Sequence, residues 1–99
     1  MVHELKILPE FFEAVTSGEK QFEIRKNDRN FQVGDLVILR EWIQGTYTGS
    51  SYYACITYVT AFGQPSGQVV FGFRPVVNEW IRAGLDDRMT AGRSCGKSF

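Results

Sequence analysis

Gly18-Glu19-Lys20-Gln21-Phe22-Glu23-Ile24-Arg25-Lys26-Asn27-Asp28 is the stretch on which the reading of this chain turns. Glu23 and Arg25 stand two residues apart, which puts them on one face of a strand, with Lys20 just before it. Phe22 and Ile24 take the opposite face, which reads as the core side. The charged face is either a solvated surface or the wall of a polar cleft, and the two alternatives imply different functions.

The segments on either side give this strand its place. Upstream, His3 to Ile7 alternates, with Leu5 and Ile7 apolar and Glu4 and Lys6 polar, and reads as a short strand. Pro9 opens a helix, since its fixed φ suits the first helical position, and Glu10 complements the positive end of the helix dipole. Phe11, Phe12, Ala14 and Val15 form its apolar stripe, and Gly18 ends it as a left-handed cap. A helix this short does not stand alone in water, so its stripe must dock.

Downstream, Asn27 to Asn30 is a cluster of turn formers. Val33-Gly34-Asp35 is a tight turn feeding Leu36 to Trp42, the clearest strand of the chain. Gln44 to Ser51 reads as a hairpin loop. Tyr52 to Phe62 reads as a long strand or a bulged pair. Ala54, Ile56, Tyr58 and Thr60 lie on one face, and Cys55, Thr57, Val59 and Ala61 on the other. Gly63 to Gly67 is a turn, and Gln68 to Arg74 a last strand before Pro75. Beyond it, Asn78 to Leu85 suits one short helix with Asn78 as cap, and Asp86 to Phe99 reads as a flexible tail.

The order is strand, helix, then four or five strands in mostly antiparallel hairpins. The fold class is α+β, mainly β: a small, partly closed β-barrel with one early helix packed at its end. The domain spans residues 1–76, and residues 77–99 form a C-terminal extension.

Ninety-nine residues with 43% hydrophobic content supply one core. Eleven Lys and Arg balance eleven Asp and Glu, which argues against a strongly basic nucleic-acid wrapper. Locally, Lys20, Arg25, Lys26 and Arg29 against Glu23 and Asp28 leave residues 20–30 at +2. No stretch approaches the roughly 20 apolar residues of a membrane span, and the N-terminal residues carry no secretory pattern. One histidine, His3, and two distant cysteines, Cys55 and Cys95, make no zinc-binding spacing, so neither metal nor cofactor is expected. This cysteine usage suits a cytoplasmic protein with reduced thiols. His3 and Cys55 need no functional role.

Gly18 to Arg25 resembles the G-x-K-x-x-E-x-R motif of ASCH domains, a branch of the PUA-like superfamily in which the motif follows the first helix. Phe31-Gln32-Val33-Gly34-Asp35 resembles the family's Gly-Asp turn into a barrel strand. His3 to Ile7, Ile24 to Asp28 and Leu39 to Trp42 are similar to small ASCH-like proteins of bacteria and their phages. The resemblance covers roughly residues 3 to 74.

It implies a cleft between the first helix and the barrel, lined by the motif's charged residues and binding RNA or a nucleotide-like ligand. In that reading Lys20 and Arg25 contact phosphate or a base edge, as the planar fork of Arg suits paired hydrogen bonds. Glu23 accepts from an amino group or orients Arg25, and Lys26 and Arg40 contribute further out. Trp42, Tyr47, Tyr52 and Tyr53 lie near a loop that supplies rings for stacking.

Two other readings stand beside it. Some ASCH-like proteins are amidohydrolases acting on N4-acetylcytidine. Lys20 matches their Lys, but Glu23 stands where they carry Thr, so the presumed nucleophile is missing and catalysis is the lesser alternative. The other is a phage or bacterial protein-interaction module.

Overall fold

β1 (Val2–Ile7) keeps the alternation of its sequence, with His3, Leu5 and Ile7 buried and Glu4 and Lys6 exposed. Pro9 then starts α1 (Pro9–Thr16), where its missing N–H costs nothing. The Leu8 carbonyl accepts the first two helical bonds, from the N–H groups of Phe11 (3.0 Å) and Phe12 (2.8 Å). Gly18 ends the helix with φ +85°, a backbone conformation that suits glycine. The reversed chain is pinned by Gly18 N–H to Val15 O (3.0 Å) and Lys20 N–H to Ala14 O (2.9 Å). The computed structural model describes residues 1–76. The short helix and tail expected over residues 77–99 lie outside the described residues.

β2 (Phe22–Lys26), β3 (Leu36–Ile43), β4 (Thr46–Thr60) and β5 (Gln68–Pro75) complete one five-stranded sheet in the order β1-β3-β4-β5-β2. β1 and β3 are parallel and the other pairs antiparallel. The sheet curls into a partly closed barrel, and its inner face holds Val37, Leu39, Ala54, Ile56 and Phe71 at 0% exposure. α1 adds Val15 to this core, with Phe12 packed against it. Phe11 stays 43% exposed, so the docking stripe is narrower than its sequence suggests.

The expected loop over residues 44–51 is a turn of two residues. Gln44 (φ 51°) and Gly45 (φ 85°) both have positive φ, the geometry whose twist matches flanking strands. Ile43 pairs with Thr46, so Thr46 to Ser51 are strand, Gly49 included. The alternation expected along β4 also breaks. Ile56 pairs with Phe73 but Tyr58 with Gly72, so two steps on β4 meet one on β5. This bulge turns Tyr58 outward to 65% exposure and brings Val59 to the inner face opposite Phe71. Cys55 is buried in β4.

The largest correction concerns β2. Its apolar face was expected to be the core side, yet Phe22 is 44% and Ile24 51% exposed, while Glu23 is 4% exposed. The register explains the inversion. Glu23 lies opposite Phe71 and Arg25 opposite Val69, both core residues of β5, so the charged pair shares the inward face.

Candidate functional site

β2 and β1 are the two edges of the sheet, and curling brings them towards each other. Arg25 reaches across this seam, and its Nη2 donates to the backbone carbonyl of Lys6 at 2.9 Å. Its Nε donates to Glu23 Oε1, also at 2.9 Å. Lys20 arrives from the helix end, where its own N–H is tied to Ala14. Its Nζ donates to Glu23 Oε2 and to the carbonyl of Phe22 (2.9 Å). Glu23 is thus held by one cation on each carboxylate oxygen.

Burial makes this arrangement consequential. The Glu23 side chain is 6% exposed, against 19% for Lys20 and 25% for Arg25. A buried carboxylate without partners costs several kcal/mol, so both cations are needed to keep this one inside. The cations retain an open side towards solvent, and the trio carries one net positive charge. Glu23 serves to hold Lys20 and Arg25 in place. Both cations keep further N–H groups for a ligand.

Two aromatic rings flank the lysine. Its Nζ lies 5.7 Å from the ring centroid of Phe11 on α1 and 5.2 Å from that of Phe22 on β2. Both rings are more than two-fifths exposed. They read in sequence as helix stripe and strand core, and neither stood out as a candidate site residue. The signal that would have found them is their spacing around Lys20, nine residues away in one direction and two in the other.

Of the five expected site residues, the fold brings together Lys20, Glu23 and Arg25. Lys26 lies on the outward face of β2 with Phe22 and Ile24, away from the trio. Arg40 is on the outward face of β3, where its guanidinium stacks 4.0 Å from the ring centroid of Tyr47 and its Nη1 donates to Glu4 (3.2 Å). Among the rings proposed for stacking, Tyr52 packs edge-on against Phe73 inside the barrel. Trp42 and Tyr47 pair across the hairpin, and Lys6 Nζ sits 4.7 Å from the Trp42 ring.

A second polar cluster lies at the start of the parallel pair. His3 Nε2 shares a 2.8 Å hydrogen bond with Asp35 Oδ2, and the His3 ring packs 4.7 Å from Phe31. Asp35 also accepts from Gln32 N–H (3.0 Å) and from the amino group of Met1 (3.3 Å). Burial pushes the Asp35 carboxyl up, but the hydrogen bonds from His3 and Gln32 and the nearby ammonium outweigh it and hold the group below its ordinary value. The cluster ties β1 to the turn before β3, which gives His3 a structural role.

Among the described residues, no helix is long and apolar enough to cross a membrane. The chain is 48% identical over 59 residues to a protein of Escherichia phage P2 described as "Uncharacterized 12.9 kDa protein in GpA 3'region". That match covers 60% of this chain and 54% of the phage protein, so it spans about half the length of that relative. A family model described as "Domain of unknown function (DUF3850)" matches residues 2–73, the greater part of the chain, from the start of β1 into β5, and the chain belongs to that family.

Proposed function

We propose that this chain is a cytoplasmic PUA-like module that binds RNA or a nucleotide-like ligand at the seam between β1 and β2. The observation that carries the reading is the inward turn of Glu23, with Lys20 and Arg25 fixed on its two oxygens. A surface ion pair does not require a strand to face its apolar side outward. Here the inverted strand presents two positioned cations at the open edge of a barrel, beside two exposed phenyl rings. Cations that hold unused N–H groups suit phosphate or a base edge, and exposed rings suit the face of a base. The resemblance of Gly18 to Arg25 to the ASCH motif supports the same ligand class. Glu23 acts on the ligand through the two cations, which accounts for a Glu where the amidohydrolases carry Thr.

The test is a titration of short single-stranded RNAs, read by fluorescence anisotropy at two salt concentrations. Lys20→Gln and Arg25→Lys should each weaken binding about tenfold or more, the loss of one charge-assisted hydrogen bond of about 1.5–3 kcal/mol. Circular dichroism confirms that each variant is folded. Folded variants that bind as the parent does refute the reading.

A further inference from the structure

The cations of the seam do not end at Arg25. Its hydrogen bond to the Lys6 carbonyl joins the site to the edge strand β1. The Lys6 side chain emerges there on the outward face of the sheet and lies over Trp42. Lys6 is the register partner of Arg40, which lies over Tyr47, and Trp42 and Tyr47 are themselves partners across the β3–β4 hairpin. Lys20, Arg25, Lys6 and Arg40 therefore follow one another around the β1 edge, from the inner mouth of the barrel to its outer face. The two outer cations are each laid on an aromatic ring. These rings contribute to the surface: Tyr47 is 42% exposed and Trp42 half-buried.

We propose that this strip is the path of a single-stranded nucleic acid several residues long, which enters at Lys20 and Arg25 and continues over β1 onto the hairpin. The inference rests on the proposed function and extends its site. Cations interleaved with aromatic rings are what a sequence-tolerant single-strand path needs, since phosphates track the cations and every base has a face to stack. A mononucleotide would use the seam alone and leave Lys6, Arg40, Trp42 and Tyr47 without a ligand contact. Two acidic groups border the outer part. Glu4 pairs with Arg40, and Glu41 accepts from the Thr48 hydroxyl at 2.7 Å. The Glu4 side chain is 59% exposed, and a surface pair of this kind holds little energy, so phosphate displaces it readily.

The experiment compares an oligouridylate of about ten residues with the uridine dinucleotide, on the full chain. Lys6→Gln combined with Tyr47→Ser alters the outer strip at exposed positions outside the core, and circular dichroism checks that the variant is folded. The longer strand should bind the parent more tightly than the dinucleotide. The double variant should lose about tenfold for the longer strand and nothing for the dinucleotide. Lys6→Gln alone should lower the slope of log affinity against log salt by about 0.7. Equal affinity of parent and double variant for the longer strand, or no gain with length, overturns the path. If dinucleotide binding then still depends on Lys20, the seam reading survives alone. If the parent binds neither probe, both fall.

Discussion

Replacing Glu23 with Gln separates a buried, organising carboxylate from an incidental ion pair. The substitution keeps the shape of the side chain and removes its charge. Glu23 takes one charge-assisted hydrogen bond on each oxygen, each worth about 1.5–3 kcal/mol. The Gln carbonyl keeps one of them. Its amide nitrogen then faces the second cation with a donor against a donor, and two cations are left near each other without their counter-charge. Removing one partner of a fully buried pair costs about 3–5 kcal/mol. Side-chain exposures of 19% and 25% at Lys20 and Arg25 let water share the burden, so the cost falls to or just below the bottom of that range, about 2–3 kcal/mol. In a domain of this size that lowers Tm by about 10–20 °C. Urea denaturation measures the loss directly, and a double-mutant cycle with Lys20→Met isolates the pair. A loss below about 1 kcal/mol, the ceiling for an exposed pair, refutes the burial argument.

Two further outcomes test the fold around the site. Ile24→Thr should change stability by no more than about 0.5 kcal/mol, because Ile24 faces outward, whereas Phe71→Ala on the neighbouring strand should cost about 3–5 kcal/mol. Thermal melts of the two variants check this, and a core-sized loss at Ile24 contradicts the inverted strand. Acid titration tests Asp35. Its folded pKa lies below the ordinary 3.8, so its contribution to stability is present above that value and is lost as pH falls through the lowered folded pKa. Asp35→Asn should therefore be less stable than the parent at neutral pH, with the difference shrinking in acid. A difference that grows in acid contradicts the assignment.

The chain's local signals carried much of this architecture. Pro9 and Gly18 bracket the helix to within two residues of its ends, and the runs after Asp35 and Gln68 are strands as their composition suggests. Alternation in β2 also showed that Glu23 and Arg25 share a face. It does not say which face points inward, because period-two patterning is symmetric. The usual assumption, apolar side in, fails here because two cations hold the one carboxylate that is turned inward, opposite the core residues of β5. The hairpin was overextended because Gly49, Ser50 and Ser51 resemble a loop. The strand resumes once Gln44 and Gly45 have made the turn, and Gly49 and Ser50 fall where the register with β3 shifts, between the pairs Trp42–Tyr47 and Arg40–Ser51. His3 and Asp35 are 32 residues apart, and only the parallel pairing of β1 with β3 brings them together. No local signal announces such a contact. The strip over Lys6 was equally hidden, since Lys6, Trp42 and Tyr47 meet only through sheet register.

The strand order has a kinetic side. β2 carries the charged trio, yet its one ladder partner is β5, and Phe22 meets Gly72 about 50 positions later in the chain. Such a pairing closes a long loop, so β2 should zip late and its amides should exchange with solvent water sooner than those of β3 and β4, which hydrogen exchange measures. On the seam side an arginine side chain stands where a ladder would run. Lys20 and Arg25 thus sit beside an edge of the sheet that meets β1 through an arginine side chain and not through a ladder.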